Sequence, residues 1–143
     1  MEIDDIIEMW NKDAPISEID LGRTSREIPK LHAKYYGLMI EAKREIIRTR
    51  GAFKRLRAMK ADFLANPTHE VSEEMNWEYP DRTILKGEIK DYLEGDKQLV
   101  KVTMQIEELD LKIELIQEIL KQVHGRNWLI NNALKDRAFL HGE

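Results

Sequence analysis

Between Leu99 and Val123 eight apolar side chains recur at strictly alternating steps of three and four residues: Leu99, Val102, Ile106, Leu109, Ile113, Ile116, Leu120 and Val123. A period of 3.5 residues gives a helix with one unbroken apolar seam, and a strand, whose side chains alternate every two residues, has no such face. Leu111, Leu115 and Ile119 widen the seam to a second face over residues 109–123. A helix that is apolar on two sides has to bury both, one against its own chain and the other against a neighbouring subunit. Each buried Leu or Ile contributes roughly 1.5–3 kcal/mol by transfer, so leaving either face wet would be costly. The eight seam residues are therefore read as oligomerisation residues of a homo-oligomer.

The rest of the chain reads as helix as well. Leu31, Tyr35, Leu38, Ala42, Ile46, Phe53, Leu56 and Phe63 keep helical spacing with one skip at Thr49, which predicts a second long helix over 29–65 that ends at Asn66-Pro67. Gly37 and Gly51 lie inside it and suggest slight bends or close helix approaches. Ile3, Ile6, Ile7 and Trp10 predict a short amphipathic N-terminal helix within 1–14. Residues 15–29, with Pro15, Gly22 and Pro29, read as a connector in which Thr24-Ser25-Arg26-Glu27 could cap the helix that follows. Residues 66–82 read as a loop holding at most a short strand or one turn of helix. A third helix is expected from about Asp81. Gly125 then interrupts the pattern before a final helix carrying Trp128, Leu129, Ile130, Ala133, Leu134 and Phe139, which makes 82–143 a set of C-terminal oligomerisation helices. The fold class is all-α, long helices in a single domain over 1–143, a length that allows one core and not two.

Catalytic templates are missing. The chain has no cysteine, which excludes disulfide scaffolds, thiolate metal sites and cysteine nucleophiles. It has no glycine-rich phosphate loop with its lysine, no H-E-x-x-H, no G-x-S-x-G and no dinucleotide fingerprint. His32, His69, His124 and His141 are far apart, and none stands at ligand spacing with another histidine or a carboxylate. Glu73-Glu74 and Glu107-Glu108 are adjacent pairs that diverge on a helix and read as solvated charge. Neither enzyme nor cofactor nor metal is expected. No apolar run reaches the 18 or so residues of a bilayer span, and the acidic start Met1-Glu2-Ile3-Asp4-Asp5 is unlike a secretory signal, so a soluble, unexported protein without a membrane partner is expected.

Charge is segregated along the chain. The formal net charge is −4, yet residues 1–20 hold seven acids against one base, whereas residues 43–60 hold eight bases against the single acid Glu45. The local field, not the total, decides what an anionic polymer meets. At about 100° per residue Lys43, Arg50, Lys54 and Arg57 fall on one flank of the predicted helix and Arg44, Arg48 and Arg55 on another; Lys60 completes the eight. Like charges at i,i+4 repel, a cost that an anion relieves. Phosphates do so while releasing counterions, and arginine is their better bidentate partner. These eight residues are the candidate DNA-binding set. Phe53 and Phe63 lie on the apolar stripe and read as core rather than as base-stacking platforms. Two bland alternatives stay open: the basic helix pairs with acids of its own oligomer, or the chain is a helical scaffold or adaptor whose basic face docks an acidic protein partner.

Several stretches carry a family resemblance. Met1-Glu2-Ile3-Asp4-Asp5-Ile6 with Lys12-Asp13, Leu31-His32-Ala33-Lys34-Tyr35, Glu41-Ala42-Lys43-Arg44-Glu45-Ile46-Ile47-Arg48, the stretch from Leu85 through Gly95-Asp96-Lys97-Gln98-Leu99-Val100-Lys101-Val102, and Arg137-Ala138-Phe139 resemble, in order and over nearly the whole chain, the UvsY family of tailed-bacteriophage recombination mediators. The resemblance implies a helical subunit that assembles through its C-terminal region into a ring of six or seven copies. It also implies binding of single-stranded DNA, and help to a RecA-like phage recombinase in displacing the phage single-stranded-DNA-binding protein, all in the host bacterial cytoplasm. The family's Leu-Lys-Ala-Arg-Leu stretch, linked to DNA binding, has its nearest match in Leu56-Arg57-Ala58-Met59-Lys60. There Arg57 keeps a base, Met59 replaces the arginine, and Lys60 supplies the next base one residue later.

Overall fold

The computed structural model describes residues 1–17 and 19–142, and among them it is helical with no strand. The elements are α1 (Ile3–Asp13), α2 (Leu21–Ala65), α3 (His69–Met75), a single 3-10 turn at Lys86–Glu88, α4 (Ile89–Glu94) and α5 (Lys97–Leu140). The chain divides into two compact units, Met1–Arg44 with Asp110–Glu143, and Glu45–Leu109. The seams of α2 and α5 are longer than one core can cover, and different short elements cover their different parts.

In the first unit α1 packs on the early part of α2 and the later part of α5. Asp5 accepts the Glu2 N–H at 3.2 Å and fixes the start of α1, whose Ile6 is fully buried. Ile6 joins Tyr35, Met39, Ala42, Ile116, Ile119, Leu120 and Val123 in one cluster. α2 starts well before Pro29, because Asp20 supplies the cap: its carboxylate accepts the Arg23 N–H at 2.9 Å, and its carbonyl takes the Thr24 hydroxyl at 3.0 Å. Thr24 is thus buried helix, not the cap. Pro29 forfeits one helical hydrogen bond, and the helix continues because Ile28 and Leu31, on either side of it in sequence, pack against the core cluster. Gly125 does not end α5. A single glycine costs only about 1 kcal/mol, and buried Val123, Arg126 and Ile130 hold the helix on both sides of it. A methyl group added at Gly37 or Gly125 would meet nothing within 4 Å, so neither glycine marks a close helix approach.

A polar node docks α1. The Asp13 carboxylate accepts from Lys34 Nζ at 2.6 Å and from the Tyr35 hydroxyl at 2.8 Å. The Arg126 guanidinium, only 4% exposed, donates to the Asp13 and Ala14 carbonyls at the C-terminal end of α1 and stands 5.5 Å from the Trp10 ring centre. A cation there satisfies carbonyls that the helix leaves open and complements its dipole. Burial alone would raise the Asp13 carboxyl, but the hydrogen bonds from Lys34 and Tyr35 and the charges of Lys34 and Arg126 outweigh it and hold the group below the ordinary carboxylate range. Burial, then the bond to Asp13, raises the Tyr35 hydroxyl. Burial likewise lowers Arg126, with Asp13 opposing.

In the second unit the later part of α2 meets α3, the 76–88 segment, α4 and the start of α5. The stretch expected as a loop contains α3. Thr68 caps it by accepting the Val71 N–H at 3.2 Å, and Asn76 ends it in the left-handed conformation at φ 55°. That reversal lets Ser72 bracket Trp77, whose N–H donates to the Ser72 carbonyl at 3.0 Å while the Ser72 hydroxyl donates to the Trp77 carbonyl at 2.6 Å. The helix expected from Asp81 is instead the 3-10 turn and α4; α5 begins only where Asp96 accepts the Leu99 N–H at 3.0 Å.

The α5 seam is spent inside the subunit. Leu99, Leu109, Ile116, Leu120 and Val123 are buried in a single copy of the chain, and Val102, Ile106 and Ile113 are half-buried. Five of the eight expected oligomerisation residues are thus covered within one copy of the chain.

Candidate nucleic-acid interface

The part of α2 from Ile46 to Ala61 contains six bases and no acid. Its buried side is set by the helical period: Ile46 and Phe63 are buried, and Phe53 and Leu56 half-buried. Thr49, at the skipped position, returns its hydroxyl to the Glu45 carbonyl at 2.9 Å, which lets a polar side chain sit beside that seam. In the second unit Arg48, Arg50, Lys54, Arg55 and Arg57 are exposed; in the first, so are Lys43 and Arg44. Lys43, Arg44, Arg48, Lys54, Arg55 and Arg57 have no ion-pair partner among the described residues. These exposed charges face water and are open to an external anion. Ile47, 68% exposed, lies between the two cationic flanks of the helix.

Lys60 departs from the rest of the expected set in its surroundings. It is 7% exposed, and its Nζ donates to Asp96 at 2.8 Å while standing 4.9 Å from the Trp77 ring centre. The reason is register: Lys60 follows Leu56 by four residues and precedes Phe63 by three, which is a seam position. Asp96 thus holds Lys60 with one carboxylate oxygen and caps α5 with the other. The signal was present in Gly95-Asp96, an N-cap residue three positions before Leu99.

Other side chains meet that the sequence keeps apart. His32 and His124 face each other edge-on at 5.1 Å, with His32 stacked on Tyr36 at 5.5 Å. Among the described residues no three His, Cys, Asp or Glu side chains gather to hold a metal ion. No described helix is long and apolar enough to cross a membrane. Past Gly125, α5 leaves Trp128, Leu129, Phe139 and Leu140 exposed. Trp128 and Phe139, eleven positions apart, return to within about 20° of one another around the helix.

Comparison gives this architecture a class. Crystal structures of the bacteriophage T4 recombination mediator protein UvsY share the fold. In one lattice the TM-score is 0.83 at 20% identity over 99% of this chain and 98% of that one. In two others it is 0.79 at 19% and 0.76 at 22%, over 97% and 94% of this chain and 98% of each of those. The model of the family described as recombination, repair and ssDNA binding protein UvsY matches residues 9–143, and the chain belongs to that family. A search of curated sequences finds no match.

Proposed function

We propose that this chain is a recombination mediator that holds single-stranded DNA on the cationic flanks of α2 and promotes loading of a RecA-like phage recombinase against the phage single-stranded-DNA-binding protein. The proposal places it in the host bacterial cytoplasm and makes it a binding protein, not an enzyme. One observation carries the DNA reading: Lys43, Arg44, Arg48, Lys54, Arg55 and Arg57 are exposed and lack carboxylate partners among the described residues. Arg50 shares their helix and exposure. Arginine forks spaced along a helix stretch with few acids suit a flexible phosphate chain, and the flanks offer charge without a base-reading groove, so binding is expected to depend little on sequence. Remodelling then needs no covalent step: a strand held in the shape the recombinase prefers, and its competitor does not, shifts the equilibrium between them.

Assembly into a homo-oligomeric ring of six or seven copies belongs to the same reading. With the heptad seam buried, the proposed contact is the exposed apolar strip of Trp128, Leu129, Phe139 and Leu140. A ring repeats the weak phosphate sites and multiplies their effect through local concentration. The deciding measurement is affinity for an oligothymidylate against salt. The logarithm of the binding constant should fall with log salt at about −0.7 per phosphate neutralised, and Arg55→Ala with Arg57→Ala should flatten that slope. A flat response in the unsubstituted protein removes DNA from the account. In sedimentation, Trp128→Ser with Phe139→Ser should lower the particle mass; an unchanged mass moves the contact elsewhere.

A further inference from the structure

A cavity of about 850 Å³ opens in the second unit beside the buried Lys60. Phe63, Trp77, Tyr79 and Tyr92 line it, and Tyr79 and Tyr92 remain 37% and 44% exposed. These rings are held in place from behind. The Trp77 indole N–H donates to Gln98 at 3.0 Å, Phe63 lies 5.5 Å from its ring, and His69 stacks on Tyr79 with centres 4.0 Å apart and planes within 11°. The wall is therefore aromatic, and it opens to solvent in a single copy of the chain.

Charge decides what would enter. Two cations of the wall are already neutralised, Lys60 by Asp96 and Arg82 by Glu88. Lys97 has no carboxylate partner among the described residues. Against it, Glu78 and Asp81 on the rim and Glu70, Glu73 and Glu74 on the adjoining α3 are exposed and without ion-pair partners among the described residues. Over residues 66–96 the sequence holds nine acids and three bases. A phosphate chain is repelled by such a rim. A guanidinium or ammonium group is drawn to it, and aromatic faces add cation–π attraction once the group is inside.

We infer that this cavity docks a basic protein segment, with a lysine or arginine side chain seated among Trp77, Tyr79 and Tyr92 and flanking bases on the acidic rim. The inference rests on the proposed function for its purpose. The unit presents a cationic flank suited to the strand and a separate anionic, aromatic cavity suited to a protein, so neither ligand needs the other's surface.

The test uses the full chain and two fluorescent probes: a twelve-residue peptide alternating arginine with glycine and serine, and an oligothymidylate. The basic peptide should bind, a glutamate peptide of the same design should not, and Tyr79→Ala with Tyr92→Ala should weaken the basic peptide by roughly tenfold, the scale of one or two cation–π contacts. The oligothymidylate should bind those variants as it binds the parent. Glu78→Gln with Asp81→Asn, at exposed positions, carries the test if the tyrosine variant melts early. Equal peptide affinity in parent and variants overturns the inference. So does loss of oligothymidylate binding in the cavity variants, which would make the cavity part of the strand site, or a drop in particle mass, which would make its occupant a second copy. Failure of the peptide arm with intact salt-dependent DNA binding leaves the α2 reading standing, and the reverse result leaves the cavity.

Discussion

Each unit hides one cation against a tryptophan, and the two are satisfied in different ways. In the first, Arg126 stands by Trp10 and gives its protons to the neutral carbonyls at the end of α1. In the second, Lys60 stands by Trp77 and meets the full charge of Asp96 at the start of α5. An arginine can serve several carbonyls through its planar fork, whereas an ammonium suits one carboxylate. The first arrangement therefore latches a helix end in place, and the second ties a lysine to the residue that starts a helix. The contrast also shows that a buried cation and a solvent-facing cation can come from one basic run, distinguished only by register.

The largest effect should come from breaking the first node. Arg126→Met keeps much of the apolar stem but strands two carbonyls, and it should cost about 3 kcal/mol, read as a lowered urea midpoint. A loss under about 0.5 kcal/mol would mean that α1 is held by its apolar face alone.

Lys60→Met sharpens the comparison next. It should cost about 2 kcal/mol because Asp96 loses its partner while remaining partly buried. Affinity for oligothymidylate should stay at the parental level. Arg57→Ala should do the opposite, leaving the urea midpoint in place and weakening the strand. If both substitutions weaken binding equally, the division of the basic run into interior and exterior residues is wrong.

The smallest effect is a pH dependence in the first unit. Asp13 is held below the ordinary carboxylate range in the folded chain, so the unfolded chain binds more protons as pH falls toward its value. The stabilisation is complete above the unfolded value, near pH 4, and drains away as pH drops through the folded one. Asp13→Asn should remove that acid-side slope, on the order of 1 kcal/mol, in urea melts between about pH 5 and pH 2. An unaltered slope would assign it to other carboxylates.

Helix content was legible because long periodic runs declare themselves: Ile46, Phe53, Leu56 and Phe63 on α2, and Leu99 to Val123 on α5. What covers those runs was not legible. A seam shows that a face is apolar and leaves open whether the chain itself or a second copy lies against it; within one copy α1 and α2 reach Ile116 and Val123. Asp20 does not declare itself as a cap in the sequence, because Pro29 suggests a helix start by its local effect on the backbone, while packing of Ile28 and Leu31 acts over a longer range. At the candidate site, exposure of Arg48, Lys54, Arg55 and Arg57 followed from angle alone. Lys60 did not, since its charge suggested water more strongly than its position suggested the interior. The aromatic cavity was out of reach, because it depends on the turn at Asn76 that carries Trp77 back against α2 and α5.

The acid-free stretch of α2 ties the free protein's durability to its ionic surroundings. Lys54 and Arg57 stand three residues apart on one flank of the helix and repel. Added electrolyte therefore raises the melting temperature of the empty chain while loosening its hold on a polyanion. A strand held there, as proposed, would add counter-charge of its own, so the loaded protein should outlast the bare one by a margin that shrinks as the buffer grows more concentrated.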